Sequence, residues 1–234
     1  PIAPNPTLPH AANFLSMLLG TKPHTEDSRL VDKDLILHAE HGVNASTFAA
    51  RVAASTSADY YSTITAAISV LKGTKHGGAA EGVINMTQAI GSEENAPKYV
   101  EQVIANGGRI MGFGHPVYKT VDPRSLHLKA EAEKLAHRKN EPRWFSILQA
   151  VTETEALKKR AQFGINPNVD FWAGAIYSLL GIPDDLFVPL FAIGRVPGWT
   201  AHVLEQYSKR DILRPRLEYV GEHDLPYVPI DKRG

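Results

Sequence analysis

Residues 168–180 read NVDFWAGAIYSLL, an almost unbroken apolar run that opens on Asn168 and Asp170. A helix that is apolar all round belongs inside a core, so this one is expected to be deeply buried with other helices around it. The rest of the chain supplies them. Apolar residues recur at helical spacing almost throughout, and alternating β-branched runs are scarce, so the expected fold class is all-α with strands minor at best.

Working outward, local signals divide the chain into helices. Leu8 to Leu19 forms one, closed by Gly20, and Asp27 or Ser28 caps a second that runs through Leu35 and Leu37 to His41 and Gly42. Asn44 or Ser46 starts a third through Val52, and Asp59 opens a fourth that carries Ile64, Ile68 and Leu71 up to Gly73. A helix from about Gly78 to Ile90, another from Pro97 to Ala105 and two long charged helices after Pro123 and Pro142 make a contiguous middle segment. Leu186 to Ser208 resumes helical character, with Pro189 and Pro197 as interruptions. The tail from Arg214 to Gly234 reads as extended and wrapped over a neighbour.

Composition narrows the function. The 234 residues, 43% hydrophobic and 21% charged, suffice for one large domain or two smaller ones. The 25 basic residues balance the 25 acidic ones, so no global field favours nucleic acid or an anionic membrane, and an anion site must be built locally. The absence of cysteine excludes disulfides, thiolate catalysis and cysteine-based metal sites, and fits a reducing, cytoplasmic compartment. The longest apolar stretches, around Phe171 to Pro183 and Leu186 to Gly194, fall short of the roughly 20 residues a membrane span needs. Pro1 replaces an initiator methionine and no basic-then-apolar signal follows, so it reads as a cut or processed end with a segment expected upstream.

The segment GFGHPVYKTVDPR, Gly112 to Arg124, reads as a binding loop. Gly112 and Gly114 permit positive φ and close approach to a ligand, and Pro116 biases His115 toward an extended conformation. Asp122 and Pro123 read as N-cap and first helical position, which puts Arg124 in an opening turn that favours a carboxylate or phosphate.

Other chemistry-bearing residues lie elsewhere. His38 and His41 in HAEHG are spaced to share a helix face; zinc would need a third ligand, so the pair reads instead as one structural histidine and one substrate donor. His76, in LKGTKHGGAAE, lies between glycines before a helix whose positive end favours neutral imidazole, suited to donate to a developing enolate or simply to cap the turn. Asp170 enters the apolar helix among Val169, Phe171 and Trp172, where burial raises a carboxyl pKa; general base and helix N-cap are both open readings. Arg195, in FAIGRVPGW, demands an anionic partner from the protein or a substrate. Together these residues suggest carbon-acid chemistry on a polycarboxylate with no metal required.

The segments LILHAEHGVNASTFAAR, LKGTKHGGAAE, GFGHPVYKTVDPR, PNVDFWAG and FAIGRVPGWTAHVLEQ resemble, in order, the signature segments of citrate synthase, and the tail LRPRLEYVG is similar to that of its bacterial members. The resemblance spans essentially the whole chain and implies a mainly α-helical homodimer with large and small domains. On that pattern residues 1–77 and 181–234 would belong to the large domain and 78–180 to the small one, with the N-terminal part of the large domain lacking. The resemblance further implies that Asp170 deprotonates acetyl-CoA while His76 hydrogen-bonds its thioester oxygen, and that His115 polarises the oxaloacetate carbonyl. His41, Arg124 and Arg195 would hold the oxaloacetate carboxylates, with Arg214 supplied by the other subunit. Met111, Gly112, Phe113, Gly114, Lys119 and Asn168 would contact CoA, which is a substrate here; no cofactor and no metal are implied.

Two departures from the family pattern stand near His76. Ala80 replaces an asparagine, and Thr74 and Lys75 replace a Pro-Leu pair; Lys75 is expected to lower the histidine pKa further. The competing readings are a 2-methylcitrate synthase acting on propionyl-CoA, a catalytically incomplete helical fragment or dimerisation module awaiting an N-terminal piece, and a metal-dependent hydrolase built on His38 and His41.

Overall fold

The computed structural model describes residues 2–233, so the reading of Pro1 lies outside them. Among the described residues the chain is all-α: its one β feature is an isolated antiparallel bridge between Phe113 and Pro167. The helices are α1 (His10–Leu19), α2 (Thr25–His38), α3 (Ala45–Ser55), α4 (Tyr60–Leu71), α5 (Ala79–Ile90), α6 (Ala96–Ala105), α7 (Pro123–Lys139), α8 (Arg143–Glu153), α9 (Glu155–Ala161), α10 (Val169–Leu179) and α11 (Phe187–Lys209).

The expected apolar helix is α10, and it is central. Phe171, Trp172, Ala175, Ile176 and Tyr177 are all at most 2% exposed, and α10 packs on α7 and α5. The larger core joins these residues to Leu30 and Val31 of α2, Val83 and Ile84 of α5, Leu128 and Leu135 of α7 and Ile147 of α8. A second core forms where α3 and α4 meet α11, around Ala50, Ala67, Leu71, Trp199 and Val203. Because α11 contributes Phe187 and Leu190 to the first core and Phe191 and Trp199 to the second, it joins the two.

Several boundaries follow the local chemistry read from the sequence. Gly20 closes α1 in the left-handed region at φ 72°. Asn44 caps α3, Asp59 caps α4 and Asp122 caps α7, each accepting a hydrogen bond from a backbone N–H of the first turn.

Four expectations are corrected. Helix α2 starts earlier, capped by His24, and Asp27 instead sits inside it as the carboxylate that pairs with Arg138 and Lys139 of α7. It also ends at His38, so His41 lies beyond it and the two imidazoles do not share a helix face. The long helix expected after Pro142 is two, because Thr154 adopts an extended conformation between α8 and α9. Conversely, Pro189 and Pro197 do not interrupt α11: Pro189 falls in the first turn, where no intrahelical N–H is needed, and Pro197 is carried inside the helix.

Around Pro197, Gly194 and Gly198 let α11 lie directly on the end of α2. A Cβ on Gly198 would meet the Ala39 carbonyl oxygen at 2.1 Å, and one on Gly194 would meet the His38 Cβ at 3.1 Å. The C-terminal residues 210–229 carry no regular element, and Leu217 and Val220 on them are 93% and 92% exposed.

The Gly198 contact is rigid backbone against backbone. Gly198→Ala should therefore destabilise the chain by about 1–3 kcal/mol, the usual range for overpacking. The check is the urea unfolding midpoint; an unchanged midpoint would mean that the end of α2 yields without cost.

Candidate active site

Where the two cores meet, a cavity of about 1030 Å³ is lined by His41, His76, His115, Arg124, Asp170 and Arg195, together with Phe113, Gly114 and Asn168. Six residues expected to carry chemistry, from five separate sequence segments, thus converge on one space.

His115 sits on the loop before α7, and its Nδ1 accepts hydrogen bonds from the backbone N–H groups of Val117 at 3.0 Å and Tyr118 at 3.4 Å. An Nδ1 that accepts leaves the ring proton on Nε2. That Nε2 is 3.1 Å from Nε2 of His41, so His115 donates and His41 accepts. Tyr118 stacks on His41 with ring centroids 5.3 Å apart and leans on His115 at 4.8 Å, which fixes both rings. Burial, then the Arg124 charge, lowers the pKa of His115, and burial, Arg124 and His115 bring that of His41 to about 4. Both imidazoles are neutral at neutral pH.

His76 lies in the turn between α4 and α5, its Nε2 2.9 Å from the Ser46 hydroxyl. Ser46 is fully buried, and its Oγ also lies 2.8 Å from Asn44 Oδ1 and 3.2 Å from Trp199 Nε1. Asn44 Oδ1 only accepts and Trp199 Nε1–H only donates, so Ser46 gives its proton to Asn44 and receives one from His76 Nε2. Burial lowers the His76 pKa, followed by the charge of Arg195. The expected contribution of Lys75 is therefore corrected: the cation that matters comes from α11, not from the neighbouring residue.

The two arginines differ. Arg124 is committed to the buried Asp122, with Nε at 3.0 Å and Nη2 at 2.8 Å from its carboxylate, so one edge of the guanidinium is fixed and the rest faces the cavity. Arg195 is 2% exposed, donates from Nε to the His38 carbonyl and lies over the Phe191 ring, yet among the described residues it has no ion pair. Burial and the Arg124 charge bring its pKa down to about 10, so it remains a cation at neutral pH. Two cations that line one cavity, one of them without a carboxylate partner, suit a small polyanion chemically.

Of the two open readings of Asp170, the structure removes the helix cap. Asn168 caps α10, its Oδ1 accepting from the Asp170 N–H at 3.0 Å, which leaves the Asp170 carboxyl free of capping. The carboxyl faces the cavity, but dense protein around it raises its pKa by desolvation. Asn168 is itself locked to the glycine loop: its N–H donates to the Gly112 carbonyl at 2.8 Å, its Nδ2 to the Gly114 carbonyl at 3.0 Å, and the Gly114 N–H to Asn166. The loop carrying His115 and the helix carrying Asp170 are thereby one unit. Gly112 needs both its positive φ of 74° and its missing side chain, because a Cβ would strike Phe171 at 2.9 Å.

Of the remaining expected residues, Met111 packs against Gly82, the Lys119 backbone lies against Gly164, and Arg214 is on the exposed tail. Lys75, Arg109 and Arg160 also line the cavity and were not singled out as ligand contacts. Arg160 belongs to a charged helix that reads as a solvated face, and Arg109 to a glycine-flanked turn. Nothing local separates either from ordinary surface charge. Among the described residues no group of three or more histidines or carboxylates is placed to share a metal ion, and His38 faces Asp34 while His41 faces His115.

Comparison with known proteins gives one family. Residues 1–216 match the family model described as citrate synthase, C-terminal domain. The citrate synthase of Synechocystis is 49% identical over all of this chain and 58% of its own length, and 2-methylcitrate synthase 2 of Corynebacterium glutamicum is 44% identical over 99% of this chain and 61% of its own. The citrate synthase of Thermoplasma acidophilum, solved as a ternary complex with carboxymethyl coenzyme A and oxaloacetate, superposes with a TM-score of 0.91 at 40% identity, covering 98% of this chain and 61% of that one. The chain thus spans about three fifths of the length of these relatives.

The neutral His41 has a consequence for stability. Its folded pKa of about 4 lies below the ordinary 6.5, so as pH falls the unfolded chain binds this proton first. The contribution is intact above about 6.5 and is lost as pH drops toward 4. Urea midpoints should therefore decline less steeply across that range for His41→Asn than for the wild type, and equal slopes would show that the ring is not held neutral.

Proposed function

The chain belongs to the citrate synthase family, and on that footing we propose that the protein carrying it condenses acetyl-CoA with oxaloacetate and hydrolyses the resulting citryl-CoA to citrate and CoA. The observation that carries this reading is the meeting of a desolvated carboxyl, three neutral imidazoles and a buried, unpaired guanidinium around one cavity.

In the proposed reaction Asp170 takes a proton from the acetyl-CoA methyl group, and His76 donates to the thioester oxygen as it becomes enolic. For that the Ser46 hydroxyl turns its proton from Asn44 to His76 Nε2, which leaves the Nδ1–H for the substrate. His115 holds its Nε2–H toward the oxaloacetate ketone and protonates the new alkoxide, its Nδ1 kept in place by the Val117 and Tyr118 N–H groups. Arg124, Arg195 and His41 receive the carboxylates, and we assign Arg214 to the site of a second copy in a homodimer. The exposed apolar tail around it supports that assignment. Met111, Gly112, Phe113, Gly114, Lys119 and Asn168 are proposed to meet CoA, with residues 78–180 as a small domain closing over oxaloacetate. A cytoplasmic site is proposed from the lack of cysteine; no helix among the described residues is long and apolar enough to cross a membrane.

Action on propionyl-CoA is the second reading, favoured by the 44% identity to a 2-methylcitrate synthase. The two acyl groups differ by one methylene, which a pocket discriminates by only about 1 to 3 kcal/mol. The ratio of kcat/KM for acetyl-CoA and propionyl-CoA decides between them.

Thiol should be released when the protein carrying this chain is given both acetyl-CoA and oxaloacetate, and no thiol release would sink the proposal. His115→Ala should lower turnover by about 100-fold or more, the span of general acid catalysis, with a much smaller effect on oxaloacetate binding. Arg124→Leu should show the reverse emphasis, with oxaloacetate binding strongly impaired. Unchanged turnover in His115→Ala would reduce the loop to a binding element.

A further inference from the structure

Arg51 lies on α3, outside the residues that line the cavity, and the proposed reaction leaves it unused. Its side chain is only 11% exposed, and its guanidinium meets three residues on one face of α11. Nη1 donates to His202 Nδ1 at 3.0 Å and to Glu205 Oε2 at 3.1 Å, and Nη2 donates to Gln206 Oε1 at 3.0 Å. A guanidinium only donates, so the histidine ring and the glutamine amide each have a single orientation. With Nδ1 accepting, the ring proton of His202 lies on Nε2, which donates to Glu40 Oε1 at 2.9 Å. With Oε1 facing Arg51, Gln206 Nε2 donates to the Asp211 carbonyl at 3.2 Å. Helices α3 and α11 already pack through Ala50, Trp199 and Val203, so this network adds something other than a helix contact.

Each branch ends beside a residue proposed to hold oxaloacetate. Glu40 Oε1 also accepts from the Gly42 N–H at 2.7 Å, which ties the backbone on both sides of His41. On the other branch the tail is held at Asp211 by Gln206, itself 2% exposed, and at Leu213, whose N–H donates to Ser55 Oγ at 3.0 Å. Ser55 is one turn along α3 from Arg51, and Arg214 follows Leu213 directly. We infer that Arg51 is a positioning residue for oxaloacetate binding: one guanidinium that sets the His41 loop through His202 and Glu40, and the tail that carries Arg214 through Gln206. The proposal rests on the reading of His41 and Arg214 as carboxylate-binding residues and adds the group that holds both. Because Arg214 is assigned to the site of a second copy, the same guanidinium serves two sites. A lysine could not do this, since its ammonium has no planar fork to span an imidazole, a carboxylate and an amide at once.

The test has two arms. Amide hydrogen exchange on the protein carrying this chain needs no substrate: in Arg51→Met, residues 39–44 and 210–214 should both exchange faster than in the wild type. Faster exchange in one segment only, or in neither, overturns the proposal. In the second arm, Arg51→Met should raise the KM for oxaloacetate by about 3- to 30-fold, the span for residues that act on a site through others, with a smaller effect on kcat and on the KM for acetyl-CoA. Made on top of His41→Asn, the same change should raise it by less, because one of its two targets is gone. An unmoved KM, a fully additive rise, or equal changes in kcat and both KM values would mean a packing role only and overturn the inference. Arg51→Lys, which keeps the charge and loses the fork, should act in the same direction by less and serves if Arg51→Met does not fold. If the wild type releases no thiol at all, the functional reading fails, while the exchange arm still decides whether one guanidinium holds both segments.

Discussion

The site depends on backbone-to-backbone contact between α11 and the end of α2. Gly194 and Gly198 remove the side chains that would hold these helices apart, and the approach is close enough that a single added carbon at Gly198 would sit 2.1 Å from the Ala39 carbonyl. Beside that contact the Arg195 side chain donates to the His38 carbonyl, and just past the end of α2 His41 meets His115. It also explains why a proline is tolerated within α11. The helix is held by packing along its length, and tertiary contacts outweigh the missing N–H.

A second coupling links the other half of the cavity. The glycine loop and the start of α10 exchange hydrogen bonds through Asn166 and Asn168, so His115 and Asp170 are carried by one interlocked unit. Cations and carboxylates are then distributed unequally. Burial lowers the pKa of each histidine facing the cavity, and the charge of Arg124 or Arg195 lowers it further, which keeps these rings neutral and able to donate one proton. His38 sits on a carboxylate instead, and its pKa moves the other way. One residue type serves two electrostatic roles because the partners differ.

Much of this was legible in the sequence. Asn44, Asp59 and Asp122 cap helices as their type and position suggest, and the run at 168–180 is the buried centre it reads as. His41, His76, His115, Arg124, Asp170 and Arg195 converge on a single cavity. Two of the misreadings share a cause. Asp27 was read as a cap and is an ion-pair partner for α7, and His38 and His41 were placed on one face because a helix was carried three residues too far. In each, a residue with a plausible local role was claimed by a distant one.

The sequence by itself determined the helical class, most helix boundaries and the set of residues able to bear chemistry. These follow from periodicity, capping and backbone restriction, all of which act within a few neighbouring residues. Only the tertiary structure decided that Asn168 locks onto the Gly114 carbonyl, that Ser46 holds His76, and that Arg195 rests on a carbonyl 157 residues away with no carboxylate ion pair among the described residues. Those outcomes depend on which donors and charges meet in space. No local pattern encodes that meeting, because its energy comes from burial and pairing between segments the chain keeps far apart.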